Sequence, residues 1–112
     1  IDALRSAYAS GRVSEGDTSE TITRYLAEHG ELLCPHTAVG ANIGEKHLGT
    51  VPMVTLATAH PAKSPAAVEA ATGIHPPLPP RMADLYDRPE RITRSKGDLV
   101  AIQKIIKDRI TS

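Results

Sequence analysis

The chain has 112 residues, of which 40% are hydrophobic, a composition typical of folded proteins rather than disordered ones. Thirteen basic residues balance thirteen acidic ones, which argues against a surface for nucleic acid or anionic lipid. The single cysteine excludes an intramolecular disulfide and fits a reducing compartment. No apolar run approaches the ~20 residues that cross a bilayer, so we expect a cytoplasmic protein with no membrane partner.

Three helices are predicted in the first half of the chain. They lie at residues 2–10, between Ser14 and Gly30, and at residues 36–48. Ser14 with Asp17 three residues later resembles a capping box, which begins the second helix, and Gly30 ends it. The third helix carries Gly40 and Gly44 four residues apart, a spacing that permits another backbone to pack closely.

Residues 51–59 predict a strand that is buried on both faces. Met53 and Val54 are adjacent, as are Leu56 and Ala57, whereas a strand with one solvated face would alternate apolar and polar residues. A buried strand needs neighbours for its backbone hydrogen bonds, and the sequence offers too few other strands. We therefore expect an incomplete α/β unit.

The last third of the chain predicts two further helices. Residues 64–72 form the first, which Gly73 ends, and Asp98 caps the second. A connection rich in proline, residues 74–80, precedes the second helix. The predicted architecture is mostly helical with one buried central strand. Because the sequence opens at Ile1 as if inside a helix, we expect it to be part of a longer polypeptide.

Two motifs give the chain a resemblance to a known family. They are LCPHTAVG at residues 33–40 and VTLATAHPAK at 54–63, preceded by a GRVS turn at 11–14. With this spacing the chain resembles the last third of bacterial-type threonine synthases. The resemblance runs from about Gly11 to about Gly73 and continues more loosely to the final helix, and the motif at 57–63 is its most specific part.

This resemblance implies an α/β fold, namely the C-terminal portion of the large domain of a fold-type II pyridoxal-phosphate (PLP) enzyme. Residues 1–112 would form the C-terminal part of the PLP-binding catalytic domain, incomplete on its own. The implied enzyme is a carbon–oxygen lyase acting on phosphates, which converts O-phospho-L-homoserine and water to L-threonine and phosphate. The implied partners are this small substrate and the rest of the polypeptide, which would bind most of the PLP; the segment alone would be inactive.

Two other functions stay open from the sequence. One is a threonine-synthase-like phospholyase that acts on a related amino-acid phosphate. The other is a free-standing helical interaction module without enzymatic activity. The module would fold alone and keep Met53, Val54 and Leu56 buried, whereas the incomplete enzyme would not.

The resemblance also implies candidate site residues. Thr58, at the end of the predicted strand, is the candidate partner of the PLP pyridine nitrogen, because in this fold type that nitrogen usually meets a hydroxyl; the alternative is a threonine that bonds only to backbone. His36 and Thr37 begin a helix where the family approaches the cofactor, and Thr37 is equally a helix-capping candidate. The family commonly has Asp where this chain has Cys34, which we interpret as a small buried residue rather than a nucleophile.

No catalytic residue is expected in this segment. The Schiff-base lysine of the family lies upstream, in a motif that this sequence does not contain, so Lys63 is interpreted as solvated. His60, which follows the strand end, either lines the site or makes a structural hydrogen bond, and we favour the structural role. The five histidines lack the spacing of zinc ligands, so we expect no metal site.

Overall fold

The computed structural model describes residues 2–111, which form helices joined by loops. The α-helices are α1 (Asp2–Ala7), α2 (Glu15–His29), α3 (Pro35–Glu45), α4 (Pro65–Thr72) and α5 (Leu99–Ile110). Short 3-10 turns lie at Pro61–Lys63, Pro80–Met82 and Leu85–Asp87. Residues 2–111 contain no β-strand, and no helix among them is long and apolar enough to cross a bilayer.

The ends of the helices follow the predicted signals. The Ser14 hydroxyl accepts a hydrogen bond from the backbone N–H of Asp17 at 3.1 Å and donates one to its carboxylate at 2.7 Å. Gly30 and Gly73 end α2 and α4 with φ of 70° and 73°, a left-handed conformation in which a Cβ would be strained. Asp98 caps α5 by accepting from the N–H of Ala101 at 2.9 Å. These local predictions are confirmed.

A small helical core forms where α2 packs against both α3 and α4. Its buried residues are Thr18, Thr21, Ile22, Cys34, Thr37, Ala38, Ala41 and Val68. Polar contacts also join these helices: Thr23 donates to the carbonyl of Ala71 at 2.8 Å, and the guanidinium of Arg24 lies 2.6 Å from the carboxylate of Glu45. We call α2, α3 and α4 with these buried residues the helical core.

The prediction of a buried strand at 51–59 is wrong for this chain as it stands. The segment has no regular secondary structure, and Val54 and Leu56 are each 77% exposed. It runs back along α3, because Thr55 lies against Gly44 and Gly40 while Thr58 meets Thr37 at the start of that helix. The physical reason is the absence, within residues 2–111, of a neighbouring strand to accept its backbone hydrogen bonds.

The chain is far more open than a closed domain of its size. Its radius of gyration is 19.5 Å, whereas a compact domain of this length has about 13 Å. Its accessible surface is 9177 Å², against about 5,900 Å² for a folded monomer of this mass. None of the described residues of α5 is buried.

Much of the excess surface is apolar. We call these exposed side chains the outer apolar surface: Val51, Met53, Val54, Leu56, Leu99, Val100, Ile102, Ile106 and Ile110. They belong to the segment that follows α3 and to α5.

Candidate functional site

An open depression lies where the start of α3 meets the end of the 51–59 segment. It has a volume of about 460 Å³ and is lined by residues 31–34, Thr37 and residues 57–61. The two motifs that carry the family resemblance therefore meet at one place, although they are separated in the sequence.

Cys34 begins α3. Its backbone is extended, with φ −76° and ψ 156°, and its Sγ accepts a hydrogen bond from the backbone N–H of Thr37 at 3.4 Å. Pro35 follows at the first helical position, where its lack of an N–H costs nothing. Cys34 is 1% exposed, which confirms the interpretation of a buried residue, but it is also the N-cap, a role that the sequence did not reveal.

The side chain of Thr37 connects Cys34 to Thr58. Its Oγ1 accepts a hydrogen bond from the backbone N–H of Thr58 at 3.1 Å and lies 3.1 Å from the Sγ of Cys34. The Oγ1 of Thr58 lies 3.7 Å from the same sulfur. We call these three residues the Cys34–Thr37–Thr58 cluster.

The cluster changes the acidity of its thiol. Burial raises the pKa of Cys34, but hydrogen bonds from Thr37, through its side chain and backbone, and from Thr58 and the Ala59 backbone lower it. The net effect holds the pKa of Cys34 below its ordinary value. The sulfur lies within hydrogen-bond distance of several polar groups, which a purely apolar side chain would leave unsatisfied.

The cluster combines one buried anchor with one accessible hydroxyl. Thr37 is 7% exposed, whereas Thr58 is exposed at the wall of the depression. Thr37 is not the residue that caps α3; its N–H is the group that Cys34 caps. A molecule that enters the depression would therefore meet the Thr58 side chain.

The other candidates lie at different positions. His36 is exposed and lines a separate depression with Val13, Glu15 and Thr18, so the structure does not bring it to the cluster. His60 accepts from the backbone N–H of Ala62 at 3.2 Å and caps a 3-10 turn, and it also lines the depression beside the cluster, so both roles considered for it stay open.

Lys63 and the possible metal ligands are the remaining candidate residues. Lys63 ends the 3-10 turn that His60 begins and is exposed, as expected of a solvated lysine. Among residues 2–111, no three His, Cys, Asp or Glu side chains converge as metal ligands would.

Comparison with known proteins points to one family. The family model described as "Threonine synthase, C-terminal" matches residues 37–106. The chain is 44% identical over 105 residues to a threonine synthase of Pseudomonas aeruginosa, an alignment that covers 91% of this chain and 22% of that protein. It is 33% identical over 112 residues to the human protein "Threonine synthase-like 2", covering 94% of this chain and 23% of that protein.

A solved structure has the same fold over nearly the whole chain. It is the PLP-bound threonine synthase of Brucella melitensis, with a TM-score of 0.80 and 42% sequence identity. The match covers 97% of this chain and 23% of that structure. The chain thus spans less than a quarter of the length of the relatives that it matches.

Proposed function

The chain belongs to the threonine synthase family, and from this premise we propose that it is the C-terminal part of an enzyme that converts O-phospho-L-homoserine and water to L-threonine and phosphate. In this proposal residues 1–112 complete the large domain of a fold-type II, PLP-dependent carbon–oxygen lyase. The remaining polypeptide supplies the lysine that carries PLP and most of the binding site. The segment alone is inactive.

The observation that carries the proposal is the placement of the Thr58 hydroxyl. It lies on the wall of the depression, within the most specific family motif, and its backbone N–H is hydrogen-bonded to Thr37 of α3. The residues fit an aromatic ring nitrogen: an accessible hydroxyl can donate or accept one hydrogen bond, and Leu33, Ala57 and Ala59 beside it offer apolar contact to a flat ring. PLP would supply an electron sink for the reaction, and the protein orients it.

The residues of this chain bind and orient rather than react. Thr58 is proposed to meet the pyridine nitrogen, and the buried Thr37 lies directly behind it. His36, in its separate depression next to the start of α3, is proposed as a contact to cofactor or substrate from a different side. A hydroxyl at the pyridine nitrogen stabilises a proton on that nitrogen less than a carboxylate does, which moderates the electron withdrawal.

The rest of the polypeptide is proposed to cover the outer apolar surface. The exposure of Met53, Val54 and Leu56 supports this proposal and speaks against the free-standing helical module, which required these side chains to be buried. In the whole enzyme residues 51–59 would then have the backbone partners that a buried strand needs.

A related phospholyase is the second candidate. The similarity to the human threonine-synthase-like protein supports it, because the shared segment contains no residue proposed to select the substrate. The two functions differ in the phosphorylated amino acid that is consumed. Phosphate release from a panel of amino-acid phosphates separates them.

The test uses the full-length protein with the substitution Thr58→Val, and Thr55→Val as the matched control in the same segment. A hydrogen bond to a charged or strongly polar group contributes about 1.5–3 kcal/mol, so Thr58→Val is expected to lower threonine formation about ten- to hundredfold. Thr55, which lies against Gly44 rather than at the depression, should tolerate the change. Unchanged activity in Thr58→Val would overturn the assignment of Thr58, and a wild-type protein that forms no threonine would overturn the function.

A further inference from the structure

We propose that Thr37 is a positioning residue that acts through Thr58 and does not itself touch the cofactor. This inference rests on the proposed function, because it assumes that Thr58 meets a ring nitrogen. It assigns Thr37 two tasks: to fix the backbone of Thr58 and to set the direction in which the Thr58 hydroxyl donates.

The first task follows from the difference in order between the two residues. Within residues 2–111, Thr58 lies in a segment without regular secondary structure, and its N–H, which donates to Thr37, is not available for strand pairing with the rest of the enzyme. Its N–H donates to the Oγ1 of Thr37 at 3.1 Å, across 21 residues of sequence. Thr37 belongs to the first turn of α3, is 7% exposed, and has its own N–H bound to Cys34. The hydrogen bond to this buried hydroxyl therefore holds the backbone of Thr58 in a fixed position relative to α3.

The second task follows from the hydrogen-bond capacity of the cluster. A hydroxyl has one proton to donate and two lone pairs. The Oγ1 of Thr37 accepts from the N–H of Thr58, which leaves it one proton and one lone pair for the Sγ of Cys34 at 3.1 Å, where either atom can be the donor. If Thr37 donates to the sulfur, the thiol proton is available to the Oγ1 of Thr58 at 3.7 Å, a contact in which either atom can likewise be the donor.

In this arrangement the Thr58 oxygen accepts from the thiol, and its own proton is left to point into the depression. Thr58 is thereby prepared to donate to an acceptor, which is the role required at an unprotonated ring nitrogen. Without the Thr37 hydroxyl, the sulfur would lose a donor and the Thr58 proton could turn back to it. Removing one buried hydroxyl would thus alter both the position and the polarity of the accessible one.

The alternative, direct contact of Thr37 with the cofactor, disagrees with its environment. Its hydroxyl oxygen is engaged by Thr58 and Cys34, and its side chain is buried beneath them. Thr37 contributes to the lining of the depression, but its hydroxyl already makes both of these contacts.

The experiment compares Thr37→Val, Thr37→Ser and Thr58→Val in the full-length protein. Valine keeps the shape of threonine and removes the hydroxyl, whereas serine keeps the hydroxyl. Three properties are measured: amide hydrogen exchange of peptides that contain residue 58 before PLP is added, the pH dependence of the absorbance of bound PLP, and kcat and KM for O-phospho-L-homoserine.

Thr37→Val is expected to accelerate exchange in the peptide that contains Thr58, while peptides from α3 exchange as in wild type. It should shift the absorbance titration in the same direction as Thr58→Val and lower kcat about tenfold, the equivalent of 1.36 kcal/mol, with little change in KM. Thr37→Ser should restore all three properties. Should the valine variant not fold, Thr37→Ala against Thr37→Ser makes the same comparison.

The proposal is overturned if Thr37→Val behaves as wild type in exchange, absorbance and kcat while Thr58→Val is impaired. It is also overturned if Thr37→Val shifts the absorbance titration and lowers kcat but leaves exchange at residue 58 unchanged, because that result would mean direct cofactor contact. A wild-type protein that neither binds PLP nor forms threonine would instead overturn the proposed function, so the two failures are distinguishable.

Discussion

The helical core and the outer apolar surface contain the same kinds of aliphatic side chain, yet they differ in what covers them. Ile22 and Val68 are 1% and 0% exposed because three short helices enclose them. Ile106 and Leu56, of similar size, are 52% and 77% exposed. Helix α5 has an apolar face, but nothing within residues 2–111 encloses that face.

Burial of a side chain in this chain therefore depends on whether other residues cover it, and not on its hydrophobicity alone. Transfer of an apolar side chain out of water stabilises a fold by about 1.5–3 kcal/mol only if a surface receives it. In the helical core, that surface is formed by other residues of the same chain. The outer apolar surface is proposed to receive its cover from the rest of the enzyme, so the two regions should respond differently to the same substitution.

The largest expected effect is that of Ile22→Ala in the 112-residue chain. Removing a fully buried isoleucine side chain should lower the free energy of unfolding by about 2–5 kcal/mol, because the surrounding helices cannot close the cavity completely. Urea unfolding followed by circular dichroism measures this loss.

Ile106→Ala is the matched control, because it makes the same substitution at an exposed helical position. It should leave the unfolding midpoint within about 0.5 kcal/mol of wild type, since exposed substitutions have small effects and alanine favours helix more than isoleucine. Equal losses from the two substitutions would contradict the division into core and outer surface.

The second prediction compares the chain with the full-length protein. Leu56→Ser should change the stability of the chain alone very little, because the side chain is already exposed. In the full-length protein it should cost about 1.5–3 kcal/mol, because the proposed cover would lose its contact with the leucine. Thermal unfolding of both proteins, each against its wild type, makes the measurement. An equally small effect in both proteins would refute the proposal that the rest of the polypeptide covers Leu56.

The same division explains how much the sequence could predict. Helix ends are decided by neighbouring residues, so the signals at Ser14, Gly30, Gly73 and Asp98 located α2, α4 and α5 correctly. The apolar pattern at 51–59 is typical of a strand that has neighbouring strands and is covered on both faces. Residues 2–111 supply no such neighbouring strands.

The residues of the candidate site could be predicted from the sequence, but the contacts between them could not. Thr58 and Thr37 were identified from motifs, but their hydrogen bond spans 21 residues and depends on how the segment returns along α3. Cys34 was recognised as buried but not as a cap, since thiols are weak acceptors and uncommon at that position. The observed sequence signal was only its place before Pro35 and three residues before Thr37.

The third prediction concerns the two helix caps. Ser14→Ala and Asp98→Ala should each remove about 0.5–2 kcal/mol from their own helix. Because α2 belongs to the core, loss of the first cap should lower the midpoint of the main unfolding transition. Because α5 buries no described residue, loss of the second should reduce helical content without moving that midpoint.

Asp98→Asn serves as the control for this prediction, because asparagine caps a helix about as well as aspartate. It should restore the helical signal that Asp98→Ala loses. A lower main midpoint for Asp98→Ala would mean that α5 unfolds together with the core, contrary to the division proposed here.

The smallest expected effect is a pH dependence from the ion pair between α2 and α3. The hydrogen bond from Arg24 holds the pKa of Glu45 below its usual value, against an opposing effect of burial and with help from Tyr25. A carboxylate with a lowered folded pKa stabilises the fold above its unfolded pKa, and this contribution is lost as pH falls through the folded pKa. Glu45→Gln should therefore flatten the decline in stability below about pH 4.5, the usual value for Glu.

Asp84→Asn is the matched control for that pair. Its pKa is also lowered, chiefly by Arg88, but that pair joins residues four apart within one turn and crosses no interface of the core. The dependence of the urea midpoint on pH, measured between pH 3 and pH 7, should therefore differ from wild type more in Glu45→Gln than in Asp84→Asn. Both effects are small because the pairs are partly solvated. If the two variants changed the slope equally, the Arg24–Glu45 contact would not stabilise the packing of α2 on α3, and that packing would depend on the other contacts between the two helices.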